Sequence, residues 1–225
     1  MSLLHTRQLS RPAAVIFDMD GVLFDTEQLS RRLWREVFER YGIDFSDELF
    51  LKLIGRTMDA VYKTLALELG SGLPLQEIFD EQEDLYKETT SLPMPLKPGV
   101  HELLDWLREQ GIPCAVGSST NHSEVEDTLA INDLRRYFPV VVGGDYVKHG
   151  KPAPDIFLKA AEYLQTEPAN CLVIEDSNNG LKAAKAAHIP AIMVPDIVGP
   201  DEVDPDLQFT VCNSLFDVRD LLATL

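Results

Sequence analysis

Cysteine is scarce. Cys114, Cys171 and Cys212 are the only three in 225 residues, and each lies far from the others in or beside an apolar run. No C-x-x-C pair occurs, so neither a disulfide framework nor a cysteine zinc site organises the chain. Buried free thiols in a reducing compartment are expected instead. The five histidines (His5, His101, His122, His149, His188) form no H-x-x-x-H pair, which leaves no histidine zinc motif. Positive charge is also short: 20 Lys and Arg face 37 Asp and Glu, for a formal net charge of -17. That excludes the basic footprint of a nucleic-acid binder and docking on anionic lipid. It leaves an anionic substrate open, because local charge decides a site. No apolar run reaches the roughly 18 residues of a membrane span. Met1 to Ala14 holds no apolar stretch of secretory length, and the expected location is the cytoplasm.

Hydrophobic residues make up 45% of the sequence, enough for a substantial core and against global disorder. There is no internal repeat and no low-complexity tract. Ala13 to Phe17 reads as a short buried strand. From Glu27 the period becomes helical, with Leu29, Leu33, Val37 and Tyr41 recurring beside Trp34 and Phe38 until Gly42. Three more helices are predicted over roughly 46–54, 58–69 and 75–89. "SLPMPLKPG" then places three prolines in nine residues and reads as a linker. After it strands and helices alternate. Helices are predicted at 100–109, 123–130, 155–164 and 181–187, and strands at 112–116, 140–142, 171–174 and 191–194. Such alternation implies a doubly wound, Rossmann-like parallel sheet with helices on both faces. Residues 1–27 and 96–225 would form this α/β core, and residues 28–95 an inserted α-helical cap. The two connectors, near Thr26 and Pro95, would act as a hinge.

"AAVIFDMDGVLFDTE" raises a physical problem. A buried-looking strand ends in Asp18 and Asp20, with Gly21 straight after. Burying ionised carboxylates without a partner is costly, and like charges raise the cost further. Three other apolar segments also end in polar chemistry: "CAVG" in Ser118-Ser119-Thr120, "YVKHG" in Lys151, and "CLVI" in Glu175-Asp176. In a parallel sheet ligands gather at the carboxyl ends of the strands, so all four groups would face one cleft. Carboxylates suit a hard divalent cation, Mg²⁺ above all. Serine and lysine suit a phosphate. Singly, each group has an ordinary reading as a turn, a helix cap or a surface charge. Together, at four strand ends, they describe phosphoryl chemistry. Gly21 would let the backbone approach the phosphate closely. The period of two would place Asp18 and Asp20 on one side of the strand end.

"FDMDGVLFDTE", "VGSST", "GKPAPDIF" and "VIEDSNNG" resemble the four motifs of the haloacid dehalogenase-like hydrolases, over about Val15 to Val194. The nearest branch is the β-phosphoglucomutase-like group with its phosphosugar phosphatases. The resemblance implies Asp18 as the nucleophile that takes the phosphoryl group as an aspartyl phosphate. It implies Asp20 as general acid and then base, with its backbone carbonyl on Mg²⁺. It implies Ser118 on the phosphate oxygens and Lys151 tying phosphate to nucleophile. Asp176 would bind Mg²⁺, with Glu175 holding it directly or through water, and Lys151-Pro152 would be a cis peptide. Glu27, Arg56, Ser119 and Asn121 are further substrate-binding candidates alongside Gly21, Ser118 and Lys151. Asn121 and Asn179 also suit capping roles.

The aspartate at position 20 points to phosphate esters rather than to dehalogenation or phosphonate cleavage. The related mutases carry a histidine in the first cap helix, where this chain has Ser30. They also carry a lysine late in the cap, where this chain reads "DEQEDLY" with Gln82. Both departures favour a phosphatase of a small phosphorylated metabolite, acting as a monomer, over a sugar-phosphate mutase. A catalytically inactive phosphate-binding relative is the non-enzyme alternative. A receiver module also uses acids and a lysine, but it has no room for a helical insertion.

Overall fold

The computed structural model describes residues 9–53, 58–70 and 72–225. The chain divides into two compact units. One is Thr26–Leu92, and the other joins the residues up to Asp25 with Pro93–Leu225.

The second of these is built on six parallel strands: β1 (Ala14–Phe17), β2 (Cys114–Gly117), β3 (Val140–Val142), β4 (Cys171–Glu175), β5 (Ala191–Met193) and β6 (Thr210–Val211). Their spatial order is β3-β2-β1-β4-β5-β6. β1 is therefore central, in register with β2 through Phe17 opposite Val116 and with β4 through Phe17 opposite Ile174. Strands buried on both faces should read as continuous apolar runs, and AVIF, CAVG and CLVIE do; every residue of these three strands is buried.

Five helices flank the sheet: α5 (Val100–Glu109), α6 (His122–Ile131), α7 (Asp155–Tyr163), α8 (Asn178–Ala186) and α9 (Leu215–Leu222). The two faces of β1 follow from the period of two. Ala14 and Ile16 join Ile156 and Phe157 of α7 and Leu181 and Ala184 of α8 in one apolar cluster. Phe17, of opposite parity, meets Phe138 edge-on at 5.7 Å. α5 and α9 pack together. All three cysteines are buried and unpaired. Burial pushes the Cys114 thiol up to about 12.

The described residues of the insert form four helices: α1 (Thr26–Arg40), α2 (Asp47–Leu51), α3 (Met58–Leu69) and α4 (Leu75–Thr90). Its centre is aromatic. Phe38 stacks on Phe45 at 4.8 Å, and Trp34 meets Phe79 edge-on at 5.1 Å. Each such pair contributes about 0.5–1.5 kcal/mol beyond its buried area. Leu65 of α3 and Ile78 of α4 are fully buried. α2 is shorter than the periodicity suggests. Ser46 caps its start by accepting from the Leu49 amide at 3.2 Å.

Two elements lie outside the sequence expectations, β6 and α9. A two-residue strand leaves no periodic signal. α9 does leave one: Leu215, Val218 and Leu222 are buried at helical spacing, and Ser214 caps the start by accepting from Asp217 N.

Candidate phosphoryl-transfer site

Strand pairing sets the site. Beyond Phe17 the ladder continues for one residue, the Asp18 amide donating to the Ile174 carbonyl at 2.9 Å. The chain then turns back through Met19 to Gly21. Leu23 N donates to Met19 O at 2.9 Å, and Gly21 N to Phe24 O at 3.0 Å. The pleat therefore does not place Asp20: β1 ends at Phe17, and the turn decides where Asp20 goes. Its Oδ2 accepts from the Thr120 hydroxyl at 3.3 Å, at the end of β2. Asp20 still lies near enough to Asp18 for its charge to raise that carboxyl.

On the other side of Asp18 stands Lys151. Its ammonium donates to Asp18 Oδ1 and, at 2.8 Å, to Glu175 Oε1. The Lys151 side chain is 7% exposed and lies over the Phe157 ring at 4.8 Å. The Lys151–Pro152 peptide is cis. Glu175 is held at both oxygens, because Oε2 accepts from the amides of Asp176 at 2.7 Å and Ser177 at 2.6 Å. Gly180 permits this arrangement: a Cβ there would lie 2.6 Å from Glu175 Cγ. Ser177 also caps α8, accepting from Gly180 N at 3.0 Å. The capping reading of this segment is thus realised, at Ser177.

The remaining residues take distinct places. Ser118, buried, follows Gly117 on β2; its amide donates to Val142 O at 3.0 Å, and its Oγ accepts from the Thr120 amide at 3.1 Å. Ser119 and Asn121 are exposed. Asn121 occupies the N-cap position of α6 without a side-chain cap bond, and its amide reaches Glu124 at 3.3 Å. Asn179 is exposed in the first turn of α8. Arg56 and the side chain of Glu27 fall outside the described residues. Gly180 and Asp196, beside Glu175 and Gly21 respectively, are neighbours of this cluster that the sequence patterns do not single out. Thr120 carries a signal, since it closes the hydroxyl triplet after β2. Asp196 lies beyond the motifs and carries none.

Two buried carboxylates, Asp18 and Glu175, share one ammonium with the half-buried Asp176 beside them, and their protonation shows the imbalance. Burial, with help from Glu175 and Asp20, pushes Asp18 up to about 7 despite Lys151. Burial and the charges of Glu175 and Asp18 raise Asp176 well above the usual carboxylate range. Glu175 resists the same burial: Lys151 and the Ser177 amide hold it below its ordinary value. Burial alone would lower Lys151, yet Asp18 and Glu175 raise it. The deficit is positive charge. One ligand atom from each of Asp18, Glu175 and Asp176 lies within 4.8 Å of the others, and all are hard oxygen donors suited to a divalent cation. Glu175 already has both oxygens engaged, so Asp18 and Asp176 are the better direct ligands. Gly21, at φ +74°, completes the cradle; a Cβ there would lie 2.8 Å from Asp176 Cγ. The residues fit a metal ion.

Residues 15–194 match the family profile of the haloacid dehalogenase-like hydrolases. The chain belongs to that family. It is 38% identical over 183 residues to a phosphorylated carbohydrates phosphatase of Thermotoga maritima, covering 80% of this chain and 83% of that one. It is 35% identical over 188 residues to a fructose-1-phosphate phosphatase of Escherichia coli, covering 82% and 97%. A HAD family hydrolase from Deinococcus radiodurans, solved with bound phosphate and sodium, superposes with a TM-score of 0.82 at 26% identity, covering 96% and 97%. The parallel sheet with a helical insert is the architecture of these hydrolases. No described helix is long and apolar enough to cross a membrane.

Proposed function

We propose that this haloacid dehalogenase-like hydrolase is a phosphatase of small phosphorylated carbohydrates, working through an aspartyl phosphate on Asp18. The observation that carries the reading is Lys151 bonded to both Asp18 and Glu175, with Asp176 alongside. The two phosphatases at 38% and 35% identity support the substrate class.

In the first step a carboxylate oxygen of Asp18 attacks phosphorus and the ester P–O bond breaks. Asp20, as the acid, gives its proton to the departing alkoxide. In the second step water loses a proton to Asp20 and attacks the acyl phosphate. The P–O bond to Asp18 breaks, leaving the carboxylate and inorganic phosphate. Thr120 holds Asp20 at the end of β2 through its hydroxyl, and the Ser118 hydroxyl, at the end of the strand beside β1, would donate to a phosphoryl oxygen. The Lys151 ammonium offsets charge that develops on the phosphoryl oxygens and keeps Asp18 oriented. Asp18 and Asp176 would hold a divalent cation, for which Mg²⁺ is the proposed identity, and it would supply the further positive charge that a carboxylate needs to attack a phosphate dianion.

The test is hydrolysis of p-nitrophenyl phosphate with Mg²⁺ and then with EDTA, followed by a panel of sugar phosphates. Chelation abolishes turnover, and Asp18→Asn abolishes it with the fold intact. Equal rates with and without EDTA would sink the proposal. With β-glucose 1-phosphate, release of free phosphate is expected; dominant formation of glucose 6-phosphate would favour a mutase instead.

A further inference from the structure

A second acidic group borders the site and belongs to none of the four motifs. Asp196 follows β5, the neighbour of β4, and the pairing there runs on past Met193: Val194 N donates to Glu175 O at 2.8 Å. Asp196 thereby stands beside the strand end that carries Glu175 and Asp176. Its side chain is 6% exposed. Its Oδ1 accepts from the Lys97 ammonium at 2.7 Å, while its Oδ2 is buried with no hydrogen-bond partner among the described residues.

That oxygen points at Gly21. A Cβ built on Gly21 would lie 3.3 Å from Asp196 Oδ2, and Asp176 Oδ2 faces the same point from closer still. Two carboxylate oxygens thus converge on one small space that the absent side chain of Gly21 leaves open. A buried, unpartnered carboxylate oxygen costs free energy unless something donates to it or neutralises it. Lys97 leaves that need unmet. It sits on the chain returning from the insert, where its amide donates to Leu23 O at 3.0 Å, and its ammonium is also 4.0 Å from Asp25. Lys97 is thus hydrogen-bonded to Asp196 and lies only at charge-contact distance from Asp25. With Asp176 beside them, carboxylates outnumber ammonium groups among these described residues.

We infer that Asp196, anchored by Lys97, is the outer carboxylate of the cation site: it accepts from water bound beside Asp176 and strengthens cation binding without touching substrate. This rests on the phosphatase reading for the existence of the cation site. Asp196 is a positioning residue, acting through Asp176. Partners of this kind set metal affinity by about 10- to 100-fold. Lys97 holds Asp196 by its other oxygen, so the free oxygen is left to the site.

The experiment is a Mn²⁺ titration, reading free Mn²⁺ by its paramagnetic resonance signal, on wild type, Asp196→Asn and Asp25→Asn. Wild type should bind Mn²⁺. Asp196→Asn should bind it about 10- to 100-fold more weakly, with the KM for p-nitrophenyl phosphate at saturating Mn²⁺ close to wild type. Asp25→Asn, which removes a carboxylate charge 4.0 Å from Lys97 but keeps both Asp196 oxygens, should bind like wild type. If Asp196→Asn does not fold, Asp196→Ser carries the same expectation. Unchanged Mn²⁺ affinity in the Asp196 variant overturns the inference, and so does an equal loss in Asp25→Asn, which would make the effect a general one of removing acidic charge. A wild type that binds no Mn²⁺ and hydrolyses nothing overturns the phosphatase reading itself.

Discussion

Gly21→Ala separates the two demands that this glycine meets. The first is conformational. Gly21 has φ +74°, a region that costs an L-residue roughly 1–2 kcal/mol. The second is steric. The added Cβ would lie 2.8 Å from Asp176 Cγ, whereas ordinary contact begins at 3.4 Å, so the carboxyl group must retreat by at least 0.6 Å. Its Oδ2, closer still, must swing further. Asp176 cannot retreat freely, because its own backbone amide is tied to Glu175 Oε2 at 2.7 Å. A misplacement approaching about 1 Å in a catalytic group can cost on the order of 100-fold in rate. The expected outcome is therefore a modest loss of stability, about 1–2 kcal/mol by urea unfolding, and a disproportionate loss of kcat, about 10- to 100-fold with p-nitrophenyl phosphate. Metal dependence should also shift to higher Mg²⁺. Wild-type kcat with wild-type metal dependence, in a variant destabilised as expected, would refute the claim that Gly21 makes room for Asp176.

The pH dependence of stability follows from the raised carboxyls. Asp18 moves from 3.8 to about 7 in the folded protein and Asp176 is raised as well. A raised acid holds its proton more tightly when folded, so its stabilisation is complete below the unfolded value and is lost as pH climbs through the folded one. Each such group costs up to about 1.4 kcal/mol per pH unit in that window. Glu175, lowered, makes its contribution above its ordinary range and loses it only in more acid solution. In EDTA, urea-derived stability should fall between about pH 4 and about pH 7, the span from the unfolded to the folded value of Asp18, and excess Mg²⁺ should flatten the decline; stability that is level or rises with pH across that span in EDTA would contradict the charge balance described here. Leu222→Ala, at a position 1% exposed in α9, should cost about 2–5 kcal/mol in the same assay without changing KM. A loss below about 0.5 kcal/mol would mean that α9 does not close the core.

Much of the fold and of the site is legible in the sequence, for physical reasons that differ by element. α3 and β3 begin and end where the hydrophobic period begins and ends. The long amphipathic α1 and the proline-rich return at Ser91 to Gly99 likewise separate the insert from the sheet by pattern alone. Asp18, Lys151, Glu175 and Asp176 can be placed together because a parallel sheet brings strand ends to one side, whatever their separation along the chain. Other features depend on tertiary geometry that no local pattern encodes. The turn after Phe17 sends Asp20 to Thr120. Both oxygens of Glu175 are consumed by Lys151 and by the start of α8. Asp196 lies past the motifs and reaches the site only because β5 lies beside β4. β6 is too short to leave a periodic trace, and its pairing with β5 is a tertiary fact.

The central claim is that Asp18 carries the phosphoryl group between the two half-reactions. The direct measurement is acid quench of the enzyme during turnover of a sugar phosphate with Mg²⁺, borohydride reduction, and mass spectrometry of the peptide that contains Asp18. Reduction of an aspartyl phosphate converts that residue to homoserine. Homoserine at position 18, formed only when substrate and Mg²⁺ are both present, is the predicted result. Full turnover with an unmodified Asp18 peptide, or with the label on another residue, would contradict the account.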